Sequence, residues 1–282
     1  MTANEVLLNH EALIKGGVFL GIFVGMALWE FTAPRRALAA SRGTRWLNNL
    51  GILILNSLLV RAVFPAAAVG VAVLANEQGI GLLHLAGFSE VVKIVLAIVA
   101  LDLVIYFQHI LFHAVPLLWR LHRVHHADLD FDVTTGTRFH PLEILLSMLV
   151  KAAAILFIGA PALAVFLFEI ILNASSMFNH SNIRIPTWAD RVVRWMLVTP
   201  DMHRVHHSIE ASECNSNFGF SLPWWDRLFG TYRAQPAAGH ERMIIGIMQF
   251  RSRRDLRVDQ MLLQPLREQT GGYPINRQPG AR

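Results

Sequence analysis

Five apolar stretches constrain this chain more than any other feature of it. They cover residues 16–31, 47–74, 90–112, 142–158 and 162–177. A helix needs about 20 mostly apolar residues to cross a hydrocarbon core of about 30 Å, and only a backbone that satisfies its own hydrogen bonds survives there. The spacing therefore predicts an all-α integral membrane protein with four to five apolar helices. Residues 1–11 hold Glu5 and Glu11 and no basic run, so the first stretch reads as a retained membrane helix, not a cleaved signal. Arg35, Arg36, Arg42 and Arg45 follow it directly and place that loop in the cytoplasm by the positive-inside rule. Arg61 and Pro65 interrupt the second stretch, and residues 76–89 read as an external loop or shallow helix. The last two stretches meet at Gly159-Ala160-Pro161 and form either a short spanning hairpin or a re-entrant one. No apolar span follows residue 182. Arg184, Arg191, Arg194 and Arg204 put that part on the cytoplasmic side as well, as a histidine-rich helical cap.

Composition narrows the classes further. Hydrophobic residues make up 54% and charged residues 16%, against about 25% charged in an ordinary soluble domain. That excludes a disordered chain and an ordinary cytosolic enzyme, and the single cysteine, Cys214, excludes an internal disulfide. The net charge of +5 comes from arginines that flank the apolar segments rather than forming a stripe. This suits an anionic leaflet and gives no reason to expect nucleic acid. The arginine-for-lysine bias points to a GC-rich bacterial source, hence a bacterial inner membrane. Three regions result: 1–99 with the N-terminal membrane helices, 100–232 with the histidines, and 233–282 as a polar tail. In the tail, 243–247 reads as strand-like, Leu256 to Leu266 as amphipathic, and 271–282 as disordered.

Ten of the 13 histidines lie between positions 109 and 207. They form His109-xxx-His113, His122-xx-His125-His126 and His203-xx-His206-His207. Positions i, i+3 and i+4 share a helix face, so each cluster is expected to aim its imidazoles at one spot. At this histidine content a chance HxxHH is expected about 0.03 times per chain, so two copies mark chemistry rather than accident. Eight clustered imidazoles exceed the four to six positions of one ion, which makes two ions the economical reading. Zinc, iron, copper and nickel all suit imidazole. The HExxH of a zinc protease is absent, and bis-histidine haem ligation would need single histidines nearer mid-membrane.

Other polar residues are placed by spacing. Asp102, Tyr106, His109 and His113 fall on one stripe, where Asp102 either orients a ligand ring or pairs with Arg61 or a backbone group. Glu169, Asn173 and His180 fall on another, a costly polar face for an apolar helix unless it borders a buried site. His180 is therefore a ninth candidate ligand. His140 stands before Pro141 at a helix start, where Glu143 or the backbone offers a cheap partner, and it is left off the ligand list. Trp224, Trp225 and Phe229 read as an interfacial anchor or as lining a lipid path. A membrane protein that binds or transports zinc is the rival class, but its pathway would need polar groups on both sides. A zinc-dependent lipid hydrolase lacks a nucleophile or base beyond the histidines.

The motifs resemble the fatty acid hydroxylase / sterol desaturase superfamily of membrane-bound histidine-motif oxidoreductases. The matching text is Asp102-Leu-Val-Ile-Tyr-Phe-Gln-His109-Ile-Leu-Phe-His113, Leu121-His122-Arg-Val-His125-His126, Phe178-Asn-His180-Ser-Asn182 and Thr199-Pro-Asp-Met-His203-Arg-Val-His206-His207. It continues through Asn215-Ser-Asn217-Phe-Gly219 and Trp225-Asp-Arg-Leu-Phe-Gly-Thr231, so the likeness covers about residues 100–232. The resemblance implies two iron ions, dioxygen as co-substrate, and hydroxylation or desaturation of an unactivated C–H bond of a sterol-like, fatty acyl or related lipid. It implies His109, His113, His122, His125, His126, His180, His203, His206 and His207 as ligands. A tenth histidine of some members is replaced by Ser176 or Arg184, with water or Asn173 left to fill the place. No haem-binding segment is fused, so a separate ferredoxin- or cytochrome-like electron donor is expected.

Overall fold

The computed structural model describes residues 3–267 and 271–276. Thirteen α-helices and three short 3-10 turns follow one another, with no β-strand among the described residues. The long helices are α1 (Ala3–Thr32), α2 (Arg42–Val63), α3 (Ala67–Glu77), then α4 (Leu82–Leu85), a single turn, and α5 (Glu90–Ala114). Next come α6 (Pro116–His126), α7 (Pro141–Ile158) and α8 (Ala162–Asn179). Short helices finish the chain: α9 (Thr187–Val193), α10 (Pro200–His206), α11 (Ala211–Cys214), α12 (Trp224–Leu228) and α13 (Val258–Leu263). Five segments are long and apolar enough to cross a membrane: His10–Thr32, Arg42–Leu85, Glu90–Ala114, Pro141–Ile158 and Ala162–Asn179.

α8 is the central post, packed by α1, α3 and α5. Its buried Ala164, Val165 and Phe168 meet Val69 and Ala72 of α3 and Leu101 of α5. The boundaries follow local chemistry. Pro116, Pro141 and Pro200 sit in the first turns of α6, α7 and α10, where the missing N–H costs nothing. Gly159 ends α7 in the left-handed region at φ 71° and lies backbone to backbone against Gly81. A Cβ on Gly81 would stand 2.2 Å from the Gly159 nitrogen, so that approach requires glycine.

The end of α5, the start of α7 and the end of α8 lie at one level with the α1–α2 connection. There Arg35 N donates to Asn182 O at 2.7 Å and Arg184 N to Ala33 O at 2.9 Å. Residues 115–140, 180–267 and 271–276 cap this end. α2 inverts the usual pattern of a soluble helix: Arg45, Asn49 and Asn56 are buried against the cap, and Leu47, Ile54 and Leu58 face outward. Arg45 is clamped by Asp128 at 2.7 Å and by Asp132, and Asn49 also reaches Asp128. Glu30 at the end of α1 accepts from Val133 N and Asn182 N, both at 2.7 Å.

The C-terminal region differs from its expectation as a polar, partly disordered tail. Residues 243–247 form no strand, but Met243, Ile245 and Ile247 are buried in the cap, with one isolated bridge from Ile245 to Ser208. Within 271–282, Tyr273 and Pro274 are buried, because the Tyr273 ring stacks on Trp119 at 5.5 Å and Ile275 N reaches His113 O. Residues 277–282 lie outside the described residues.

Candidate metal centre

Nine histidines from four helix ends meet beneath the cap, and every one is buried. They form two groups. His109, His113, His122, His126 and His206 make the first; His125, His180, His203 and His207 make the second. Within each group the available ring nitrogens lie within 4.8 Å of one another. Each HxxHH therefore straddles both groups instead of aiming at one spot. Pairs spaced i, i+4 stay together (109 with 113, 122 with 126, 203 with 207), while His125 and His206 turn to the neighbouring group. The reason is angular. Consecutive helical residues stand about 100° apart, so residues 125 and 126 cannot face one ion.

Short polar devices hold these helices in place. The Thr199 hydroxyl accepts from Met202 N at 3.3 Å to start α10. Gly136 lets the turn between α6 and α7 lie flat on the end of α8, since a Cβ there would come 2.8 Å from Ser176 O and 3.2 Å from His180 Nδ1.

The outer ring nitrogens reveal the tautomers. His109 Nδ1 donates to Phe218 O, His180 Nδ1 to Ser176 O and His206 Nδ1 to Ser216 O, each at 2.8 Å. A carbonyl can only accept, so the proton sits on Nδ1 in all three. His113 Nδ1 donates to Asn215 Oδ1 at 3.0 Å, and the amide is oriented by its own donation to Tyr273 O at 2.7 Å. His122 Nδ1 donates to Glu143 at 2.6 Å. These five rings keep their lone pair on Nε2, facing inward.

Those inward nitrogens crowd together. Nε2 of His109 and His122 stand 3.1 Å apart, and His126 is 3.2 Å from both His113 and His122. In the second group His180 lies 3.1 Å from His125 and 3.0 Å from His203. Between His109 and His122 neither Nε2 carries a proton, so two lone pairs oppose each other without a hydrogen bond. His206 Nε2 and both nitrogens of His207 are buried with no hydrogen-bond partner. Nitrogens bound at about 2.0–2.1 Å to one ion, at angles of 90–109°, lie about 2.9–3.4 Å apart. The observed spacings fit that geometry, and a cation is what opposed lone pairs require.

Electrostatics point the same way. Burial pushes His125, His126, His203, His206 and His207 well below the ordinary imidazole value, and His180 down to about 3. They are neutral at pH 7, the form that ligates. Neither group contains a carboxylate among the described residues.

Several expectations for nearby polar residues do not hold. Asp102 does not orient a ligand ring, nor does it meet Arg61, which is exposed; of its expected partners it finds a backbone group, accepting from Leu222 N at 3.3 Å, and it also accepts from Trp225 Nε1 at 2.8 Å. Glu169 is paired with Lys151 at 2.7 Å and with Lys15, well below the histidines. Asn173 is exposed and its amide turns back to Glu169 O at 2.9 Å, so it does not fill a coordination place. The shared stripe was real, but helical period fixes a face and not a depth. His140 caps α7, its Nδ1 accepting from Leu142 N at 3.2 Å and its Nε2 donating to Leu262 O at 3.3 Å. The residue missed by spacing is Glu143. It lies 21 positions from His122, and the hint was an acid in the first turn of a helix that begins beside a histidine cluster.

Comparison with known proteins agrees with this site. Residues 94–231 match the fatty acid hydroxylase family, a segment that holds all nine histidines. The chain is 32% identical over 145 residues to an ornithine lipid hydroxylase of Rhizobium tropici, covering 51% of this chain and 43% of that protein. It is 26% identical over 156 residues to the human alkylglycerol monooxygenase, covering 54% and 32%. It is 27% identical over 145 residues to the mouse cholesterol 25-hydroxylase, covering 51% and 47%. The matches thus span less than half the length of each of these relatives. No solved structure is significantly similar to this chain. Through residues 94–231, the chain belongs to the fatty acid hydroxylase family.

Proposed function

We propose that this chain is a membrane-bound di-iron oxidoreductase that uses dioxygen to oxidise an unactivated C–H position of a lipid. The observation that carries this reading is the opposed, unprotonated Nε2 pair of His109 and His122 inside two adjoining all-imidazole groups. In this reading His109, His113, His122, His126 and His206 hold one iron, and His125, His180, His203 and His207 hold the other. Bound there, the iron pair supplies the redox chemistry that reduces dioxygen and attacks the C–H bond. The chain supplies placement: four carbonyl or amide oxygens and Glu143 fix five rings, and complete burial excludes water from the reacting space.

Three relatives named as hydroxylases or a monooxygenase favour hydroxylation over desaturation here. They also weigh against zinc, which has no redox chemistry. The substrate is a lipid drawn from the bilayer, and the electrons come from a separate ferredoxin- or cytochrome-like donor. The catalytic unit is 100–232, with 1–99 as its membrane frame. Arg35 to Arg45 and Arg184 to Arg204 favour a cytoplasmic site in a bacterial inner membrane.

Two measurements test this. Protein purified active from iron-supplied cells should carry two iron ions, and its deletion strain should lack a lipid that is one oxygen heavier than its precursor. One ion or none in active protein overturns the paired site. Reporters fused after Gly43 and after Thr199 should both read cytoplasmic, and opposite readings overturn the orientation.

A further inference from the structure

The cap carries a large apolar face that nothing among the described residues covers. On one side of α9 and the turn after it, Trp188, Val192, Trp195 and Met196 are 59–73% exposed. Beside them Leu228 of α12 is 69% exposed, and Phe229 is also exposed. The two patches form one rigid surface. Trp224 Nε1 donates to Trp195 O at 2.7 Å, and the Arg227 guanidinium lies 4.4 Å over the Trp195 ring while bonding Arg194 O. Soluble monomers rarely expose a contiguous apolar patch beyond about 300–600 Å².

Position along α5 says what covers this face. Trp225, beside Trp224 on α12, is tied to Asp102, the midpoint of the 25-residue α5. Phe229 packs against Tyr106 and Phe107 at 5.5 and 5.2 Å, again below the histidines. Asp102 lies 12 residues from Ala114, about 18 Å along the helix. α5 is about 37 Å long and exceeds a 30 Å core by only about 7 Å, so Asp102 lies about 11 Å or more inside the hydrocarbon. α12 must reach the same depth.

The backbone of this segment is prepared for such a place. Irregular backbone at membrane depth requires every polar group to be satisfied by protein. The Asp226 carboxylate accepts from Phe218 N at 2.7 Å and Gly219 N at 2.8 Å. Phe220 O accepts from the Asn179 amide, Ser221 O from Val198 N, and Leu222 N donates to Asp102. Asn217 N closes the segment onto Thr231 O at 2.9 Å.

We propose that residues 217–231 are a re-entrant element that dips from the cap into the acyl region beside α5, with α9 as its lipid-facing shelf. The partner of the exposed face is the bilayer interior. The histidine groups then lie close to the acyl chains rather than above the headgroups, with α12 forming part of the wall between them. This rests on α5 crossing the bilayer, which the same experiment measures separately.

The test uses nitroxide labels on single cysteines in the full-length protein in phospholipid vesicles. Cys214 is fully buried, so it stays unlabelled. Labels go on Val192→Cys, Met196→Cys and Leu228→Cys, with Val95→Cys on the exposed side of α5 as the lipid reference and Arg253→Cys as the aqueous one. All five positions are exposed side chains, so folding is retained, and unchanged metal content checks it. The Leu228 and Val192 labels should collide with oxygen and not with a water-soluble nickel chelate, as the Val95 label does. Nickel collisions at the level of Arg253 overturn the re-entrant element while Val95 still reports lipid. Shielding from both reagents together with spin–spin broadening assigns the face to a second copy of the chain and also overturns it. Nickel collisions at Val95 itself would instead remove the spanning helix on which the proposal stands.

Discussion

Among the described residues Glu143 is the one anion hydrogen-bonded to a candidate ligand ring, and replacing it separates the two histidine groups. It holds His122 Nδ1 at 2.6 Å, and both side chains are about 5% exposed, so the bond is charge-assisted and scarcely screened. Glu143→Gln keeps an oxygen that can accept from Nδ1 but removes the charge that makes His122 a stronger donor to a cation. Changes of this kind cost about 10–100-fold in metal affinity, or about 1.4–2.7 kcal/mol. Glu143→Ala also strands a buried N–H, adding about 1–3 kcal/mol, so affinity should fall in the order wild type, Gln, Ala. His122 belongs to only one group, so one ion of the two should leave first. The assay is iron retained per chain against rising chelator, followed by metal analysis. Wild type should lose both ions in one range of chelator, and Glu143→Gln should show a plateau at one ion. Unchanged retention, or joint loss of both ions at the wild-type midpoint, would refute the role given to Glu143.

Other perturbations follow from the same contacts. His180→Ala should be inactive and metal-depleted, while His140→Ala, which loses only two long hydrogen bonds to backbone worth about 0.5–1.5 kcal/mol each, should keep metal and turnover; the reverse pattern in a metal assay would overturn the ligand set. Glu169→Gln leaves Lys15 and Lys151 without their shared anion and should lower thermal stability, yet keep both ions, because Glu169 lies 11 residues and about 16 Å below His180. Arg45→Met strands the buried Asp128 and Asp132 at a cost of about 3–5 kcal/mol, and adding Asp128→Asn should recover part of the lost melting temperature. Burial, with Arg204 and Arg35 nearby, holds His240 down to about 4 in the fold against an ordinary 6.5. The unfolded chain therefore takes up that proton first, and stability should fall from pH 6.5 toward pH 4 by up to the order of 3 kcal/mol. Melts of His240→Gln over that range should show a shallower loss.

Apolar runs and histidine spacing were legible because each rests on a local period. The last three apolar stretches kept their bounds to within two residues, with Pro141 and Gly159 setting two of the ends, whereas the first helix starts as early as Ala3 and the second stretch is split into α2 and α3 around Pro65. His180 was also found, though for a partly mistaken reason. A polar stripe on α8 does exist, but it serves two sites. Its lower part, Glu169, neutralises lysines from α1 and α7, and its upper end meets the histidines. A stripe reports which face a residue shares and is silent about which neighbour that face meets at each turn. The C-terminal segment failed for a related reason. Its composition is that of a loose tail, but Tyr273 stacks on Trp119, a partner more than 150 positions away that no local period could indicate.

The splitting of each HxxHH across two groups shows how much of the site such reasoning can still recover. With 3.6 residues per turn, His122 and His126 differ by about 40° around α6, while His125 and His126 differ by about 100°. One ion can therefore be served by the i, i+4 pair and not by the adjacent pair, and the middle histidine must serve something else. α10 repeats the triplet with the opposite assignment: His203 and His207 join His125, while His206 joins His122 and His126. Two helices, each offering a pair to one side and a single ring to the other, generate two groups of unequal partners. His109 and His113 from α5 complete one, and His180 from the end of α8 completes the other. Two histidine groups, rather than one larger cluster, thus follow from the helical angle once two HxxHH helices face each other. What the angle does not give is the outer layer of oxygens, since Phe218, Ser216, Asn215 and Glu143 reach the rings from loops and helix starts whose positions depend on the completed cap.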